Sequence, residues 1–194
     1  MRIVAGKFRG ARIEAQKGLA TRPTSDRVRQ ALFNVLEHGS PRFDFEGARV
    51  LDLFAGSGAL GLEAFSRGAR FCLFVEDLAE ARGAIRRNVE ALELTGITKI
   101  WRRDATKLGP RGAILPFNLI FLDPPYGRGL GDQALAAVVA GGWFADDAVV
   151  VLEEHADAAF TLPVPFQEID TRSYRDTKIV MARTTMEKGS PAPL

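Results

Sequence analysis

The sequence predicts an α/β protein: a doubly wound, mostly parallel seven-stranded sheet with an antiparallel edge hairpin, preceded by a small basic ribbon and a helix. Three observations predict it. Apolar runs of strand length alternate with helix-patterned segments between residues 49 and 152. A glycine-rich turn, Ala55-Gly56-Ser57-Gly58-Ala59-Leu60-Gly61, follows the first run and opens a helix. Two closing strand candidates, 166–171 and 178–183, leave no room for a helix between them and must pair as a hairpin.

Composition bounds the rest. With 194 residues and 46% hydrophobic content, the chain fills one ordinary core and is too short for two. No run of 18 apolar residues is present, so no transmembrane helix is expected. Residues 1–7 lack the long apolar stretch of a signal peptide, which leaves a cytoplasmic location as the expectation. A single cysteine, Cys72, allows no internal disulfide and no cysteine-based zinc site, and no metal is expected. Between Phe71 and Leu73 it reads as an inert core thiol.

The formal charge of +2 hides an asymmetry. Residues 1–30 hold eight Lys or Arg against Glu14 and Asp26, a local charge of +6, and the other 164 residues sum to −4. A basic arm on a mildly acidic body suits a polyanion, because each neutralised phosphate releases counterions. A solvated basic extension with no partner is the bland reading.

In chain order, residues 2–5 and 11–14 alternate basic or acidic with apolar side chains and read as a hairpin with one basic face, bent at Gly6 and Gly10. Thr24 or Ser25 can cap a helix that Asp26 starts. Val28, Leu32, Val35 and Leu36 carry it to about residue 38, where His38 is only its last turn. Residues 39–48 link into the main domain. Strands are expected at 49–54, 70–75 (ending in Glu76-Asp77), 99–103 (ending in Asp104), 117–122 and 148–152 (closed by Glu153-Glu154). The helix after the glycine turn stops at Arg67-Gly68. The next one sets Leu78, Ala81, Ile85, Val89 and Leu92 on one face, and a fourth covers 130–141. The chain divides into 1–47, a basic ribbon and helix; 48–185, the main domain; and 186–194, a frayed tail.

Gly56, Gly58 and Gly61 match G-x-G-x-x-G, and Glu76 lies 20 residues after Gly56. That is the dinucleotide fingerprint. Asp52, at the end of the first strand, argues against it, because a carboxylate there repels the pyrophosphate that docks at such a turn. S-adenosylmethionine has no phosphate and carries an ammonium that Asp52 attracts. Glu76 can then hold the ribose and Asp104 the adenine amino group. Acids at three successive strand ends describe a cup for a cationic nucleoside.

The fourth strand ends in Asp123-Pro124-Pro125-Tyr126. Proline cannot donate to a sheet ladder, so the strand stops there, where ligands of open parallel sheets sit. Asp123 and the carbonyls beside the prolines can accept from an exocyclic amine, and Tyr126 offers a flat face to a base. A rigid turn with a capping Asp is the alternative. Trp101 is read as packing, Phe54 equally as packing or cofactor contact, and Tyr174 as an edge-hairpin or RNA contact. His155 is assigned nothing.

Val50-Leu51-Asp52-Leu53-Phe54-Ala55-Gly56-Ser57-Gly58 together with Asp123-Pro124-Pro125-Tyr126 resembles the S-adenosylmethionine-dependent amino-methyltransferases, which have a Rossmann-like sheet. Adding Arg22-Pro23-Thr24-Ser25-Asp26-Arg27-Val28-Arg29, the chain is similar to the bacterial RsmD family over about residues 2–183. One departure is Arg175, where a glycine is expected after Tyr174. The resemblance implies methylation of N2 of a specific guanine in 16S ribosomal RNA, with free RNA or an assembled small-subunit particle as partner; a monomer is the default expectation. It implies cofactor contacts at Asp52, Phe54, Gly56, Gly58, Glu76, Asp77, Asp104 and Ala105. Asp123, Pro124, Pro125 and Tyr126 are the implied catalytic residues, and Arg2, Lys7, Arg9, Arg12, Arg22 and Arg27 the expected RNA contacts. An adenine-N6 methyltransferase acting on DNA or RNA is the alternative, weakened for DNA by the lack of room for a target-recognition domain. A nicotinamide oxidoreductase is opposed by Asp52, and a non-catalytic RNA-binding partner by the intact Asp123.

Overall fold

The computed structural model describes residues 1–15 and 26–185. Helix α1 (Asp26–His38) is followed by β1 (Arg49–Leu53), α2 (Ala59–Ser66), β2 (Phe71–Val75), α3 (Ala79–Ala91) and β3 (Thr98–Trp101). Then come β4 (Phe117–Leu122), α4 (Leu130–Ala140), β5 (Phe144–His155), β6 (Phe166–Tyr174) and β7 (Thr177–Thr184). They form one sheet in the order β3-β2-β1-β4-β5-β7-β6. The first five strands pair in parallel, and β7 runs antiparallel to both β5 and β6. This is the predicted Rossmann-like architecture with its edge hairpin.

The central strands are covered on both sides, which is why they read as near-continuous apolar runs. Val50, Cys72, Phe74, Leu119 and Phe121 face a core shared with α1, α2 and α3. Leu51, Leu73, Val75, Ile120 and Leu122 face the opposite side, against α4 and Trp143. The helix after β1 and the helix after β4 therefore lie on opposite faces. A crevice opens between those two strand ends, the usual ligand position in such sheets. Cys72 is fully buried beneath α2, and burial holds its thiol well above the ordinary range. At Gly61 a Cβ would lie 2.5 Å from the Phe74 ring and 2.7 Å from Cys72 Sγ. The third glycine of the motif thus serves helix-on-sheet packing.

Several expected boundaries are corrected. β3 stops at Trp101, so Asp104 lies in the following loop, where its carboxylate accepts the Thr106 N–H at 2.9 Å and starts a short 3-10 turn. β5 is far longer than 148–152. Glu153 and Glu154 lie inside it because β7 continues the ladder, with Glu153 opposite Ile179 and Glu154 opposite Lys178. Leu78 precedes α3 and is half exposed rather than on its buried face. The hairpin turn tightens to Arg175-Asp176, with Arg175 at φ 52°. That left-handed conformation is the physical reason a glycine is expected there. The proposed caps Thr24 and Ser25, the RNA candidate Arg22 and the tail 186–194 fall outside the described residues.

The N-terminal arm keeps only one antiparallel bridge, Arg2 to Arg12, instead of two strands. The two segments still pair as a hairpin, with Ile3 N–H on the Ala11 carbonyl and Ile13 N–H on the Met1 carbonyl, both at 3.0 Å, and other backbone groups bond to the main domain. Val4 and Ala5 donate to the Glu63 carboxylate at 2.8 and 3.1 Å, Lys7 N–H to the Ser66 carbonyl at 2.7 Å, and Phe8 N–H to Ser66 Oγ at 2.9 Å. Asn88 takes the Glu14 N–H and returns a bond to the Glu14 carbonyl. Ile3 and Ile13 are buried in the α1–α3 core, while Arg2, Lys7, Arg9 and Arg12 are exposed. The basic face therefore points outward. Gly6 passes so near α2 that a Cβ would lie 1.8 Å from the Ser66 carbonyl oxygen.

Glu63 is fully buried and also meets Arg67 at 3.0 Å and Arg29 at 3.7 Å. Removing a buried carboxylate leaves its partners uncompensated. Glu63→Ala is expected to lower the unfolding free energy by about 3–5 kcal/mol in chemical denaturation. An unchanged denaturation midpoint would mean that this carboxylate does not hold the arm.

Candidate active site

A cleft of about 810 Å³ opens beyond the carboxyl ends of the parallel strands. Asp52 ends β1 with its side chain buried on the α2 side, and Oδ2 accepts the Gly61 N–H at 3.0 Å. The glycine turn is closed from the next strand. Glu76 Oε2 accepts the Gly56 N–H and Oε1 the Leu78 N–H, both at 2.9 Å. Phe54 begins this turn at φ 58°, a conformation rare for a bulky side chain, which brings its ring to the cleft wall. Asp104 borders the cleft further along and stays partly exposed, and the Thr106 hydroxyl and N–H hold its carboxyl below the usual range.

The β4 tip reaches the same cleft. The Asp123 N–H points to the Leu53 carbonyl at 3.5 Å, setting the tips of β4 and β1 side by side. Asp123, Pro124, Pro125 and Tyr126 all line the cleft. Tyr126 is anchored at its far end, where its hydroxyl donates to Glu153 Oε1 at 2.7 Å and lies 3.0 Å from Thr177 Oγ1. Its phenol is held above the ordinary range, chiefly by burial. The loop after it is fixed by Gly127 N–H to Glu154 Oε1 at 3.2 Å.

Of the sequence-predicted cofactor residues, Asp52, Phe54, Gly56, Glu76, Asp77, Asp104 and Ala105 line the cleft. Gly58 lies beneath it at the start of α2, where a Cβ would be 3.2 Å from Phe74. Trp101 packs edge-on against Trp143 with ring centroids 5.7 Å apart, away from the cleft. Arg27 is exposed on α1. Among the cleft residues that the sequence reading did not assign to the site are Glu153, Arg29 and Met1. Glu153 was taken as the end of a strand, and the β5–β7 register that buries it has no local signal. Arg29 was read as charge on the arm and as the last residue of the motif that carries the family resemblance, with no site role. Met1 reaches the cleft because the arm docks on α2. A second cavity, about 440 Å³, lies at the opposite end of the strands, is lined by charges of both signs, and holds none of the candidate residues.

The arrangement suits a cationic nucleoside. Carboxylates stand near the end of β1, just after β2 and in the loop after β3, with Phe54, Leu60, Leu78 and Ala105 among them as apolar wall. Asp52 is the most telling. Burial pushes its carboxyl up to about 8, with the Gly61 N–H opposing and the Glu76 charge adding to the rise. A buried acid without a cation is costly, and a cationic ligand relieves it.

The fold and this acid-rimmed cleft define an S-adenosylmethionine-dependent methyltransferase. The same fold occurs in the 16S rRNA N2 methyltransferase RsmC of Thermus thermophilus, solved in complex with AdoMet and guanosine, at a TM-score of 0.59 and 23% identity over 86% of this chain and 45% of that one. The family model described as "Conserved hypothetical protein 95" matches residues 1–183, and the chain belongs to this family, the RsmD family of rRNA small-subunit methyltransferases. Ribosomal RNA small subunit methyltransferase D of Escherichia coli strain K12 is 36% identical over 158 residues, covering 81% of this chain and 76% of the relative. The solved structure of the Escherichia coli methyltransferase-family protein yhhF superposes with a TM-score of 0.80 at 31% identity, covering 96% of this chain and 99% of that one. The chain is thus an S-adenosylmethionine-dependent rRNA methyltransferase. Among the described residues no helix is long and apolar enough to cross a membrane.

Asp52 gives a pH test on the ligand-free protein. An unfolded Asp titrates near ~3.9, below the folded value of about 8. The folded state therefore binds this proton more tightly. The stability it contributes is full below the unfolded pKa and is lost as pH rises through about 8. Asp52→Asn does not titrate, so its thermal stability relative to the parent protein should improve steadily between these limits and then level off. A difference that stays constant with pH would count against the raised carboxyl.

Proposed function

We propose that the protein methylates the exocyclic N2 of a guanine in small-subunit ribosomal RNA. One observation carries the reading: the Asp-Pro-Pro-Tyr tip of β4 and the Asp52, Glu76 and Asp104 rim line a single cleft. The guanine is supported by the RsmD resemblance, and the small subunit by the name of the Escherichia coli relative.

S-adenosylmethionine, when bound, supplies an electrophilic methyl group on its sulfonium. In this reading Asp52 takes the ammonium of its tail, Glu76 the ribose hydroxyls and Asp104 the adenine amine. The guanine amine is a weak nucleophile, since its lone pair is delocalised into the ring. Asp123 and the Pro124 carbonyl accept its two N–H bonds and orient the nitrogen, a positioning effect that can reach on the order of 7 kcal/mol. Asp123 also stabilises the positive charge that grows on nitrogen and accepts the proton released after transfer. Tyr126, its hydroxyl tethered to Glu153, stacks on the base and contributes about 1–3 kcal/mol. The base must leave its helix or lie in a loop to enter. The exposed Arg2, Lys7, Arg9 and Arg12 meet the RNA backbone, together with the exposed Arg27 of α1; Arg22 is proposed as a further RNA contact from the sequence alone. A monomer acting on free RNA or an assembled particle fits this arrangement.

Mapping methylated nucleotides in ribosomal RNA from cells with and without the protein tests the reading; a lost mark at guanine N2 supports it, and a lost mark at adenine N6 replaces it. Asp123→Ala is expected to cut methyl transfer by at least ~10²-fold while changing donor affinity little. Loss of donor binding in calorimetry would move Asp123 out of the catalytic role. RNA affinity should fall steeply with salt, and Lys7→Ala/Arg9→Ala should lower the logarithmic slope by about 2. An unchanged slope would remove the arm from the RNA interface.

A further inference from the structure

Arg29 is explained neither by the methyl-transfer chemistry nor by simple surface charge. It belongs to α1 and is 1% exposed, yet it lines the cleft. One edge of its guanidinium is used, since Nη2 donates to the Arg2 carbonyl and to Asp26 Oδ1 at 2.9 Å. Nε is buried with no hydrogen-bond partner, and the nearest carboxylate oxygen, on Glu63, lies 3.7 Å away. No hydrogen bond to Nη1 exists among the described residues. Asp26 and Glu63 already meet its charge, but an unmade hydrogen bond from a buried charged group is costly, and Nε and Nη1 leave this guanidinium open to a further anionic acceptor.

Its neighbours specify which anion. Helix α2 meets Arg29 through Glu63 and Asp52 through the Gly61 N–H, and Ala59 and Leu60 of the same helix line the cleft. A cation and a carboxylate thus flank the first two turns of one helix. An α-amino acid carries the matching pair, an ammonium and a carboxylate on one carbon. The other cleft arginine with described contacts, Arg103, lies over the Trp101 ring at 4.8 Å and bonds the Leu108 carbonyl on the far rim. An RNA phosphate is a poorer match, because the nucleic-acid backbone stays at the surface and Arg29 does not.

We propose that Arg29 holds the α-carboxylate of the donor's amino-acid tail, beside the ammonium taken by Asp52. The proposal rests on the reading of this cleft as the donor site and is independent of which base is methylated. It also makes the docked N-terminal arm part of the donor site, since the Arg2 carbonyl fixes the guanidinium.

Calorimetry on the full chain with S-adenosylmethionine and with its decarboxylated analogue tests it. The parent protein should prefer the carboxylate-bearing donor roughly 10–100-fold. Arg29→Gln should bind the two equally, at the analogue's affinity, and Arg29→Lys should keep part of the preference, having the charge without the fork. Equal binding of both ligands by the parent protein overturns the proposal and needs no variant, so it decides the matter even if Arg29→Gln does not fold. A variant that weakens both ligands equally gives Arg29 a structural role only. One that weakens only RNA binding assigns it to a phosphate. A base mapped elsewhere than guanine N2 leaves each of these outcomes readable.

Discussion

The whole site depends on the pairing of β1 with β4. These neighbours are parallel, with Leu53 opposite Leu122, but their following helices leave to opposite faces of the sheet. No helix can cover the gap above such a pair, so a crevice is unavoidable. What varies is the residues at its two lips. Here the β1 lip carries Asp52 and the β4 lip carries Asp123, the first turned under α2 and the second followed by two prolines that end the ladder. The two acids are thereby brought to one cleft through sheet topology alone.

The N-terminal arm is held by a different device. The 15 described residues of the arm pair only as a two-stranded hairpin, which is marginally stable by itself. Glu63 supplies what is missing, with two arm N–H groups on its carboxylate and two guanidiniums around it. Ser66 and Asn88 repeat the arrangement further along. The apolar side chains Ile3 and Ile13 are drawn into the core, and the basic ones are left facing solvent. An arm whose basic side chains face solvent is thus fixed by buried polar groups of the main domain.

Legibility in the sequence follows from the range of the interaction involved. The strands β1, β2 and β4 were readable because burial on both faces makes them continuous apolar runs, and Asp123 because proline punctuates the strand end. β5 was misjudged because its second half is polar, with Glu153 and Glu154 sustained by a partner strand more than twenty residues away in the chain. The sequence reading assigned no role to Glu63 or Asn88 and no site role to Arg29, since helical periodicity says nothing about a segment that docks from 27 to 74 residues away. The carboxylates of the rim were legible as a set, but not what each already touches.

That last point bears on how the rim can serve both folding and binding. Asp52, Glu76 and Asp104 each accept a backbone N–H, from Gly61, Gly56 or Thr106, and so fix the turns that shape the cleft. An ionised carboxylate offers about four lone-pair sites, and these bonds occupy only some of them. The remainder face a cleft with apolar walls, where a charge-assisted bond is stronger than in water. If the rim holds the donor as proposed, a substitution at any of the three alters turn geometry and ligand affinity together. Separating the two requires changing the ligand rather than the residue, since a donor analogue that lacks one polar group leaves every backbone bond of the rim intact.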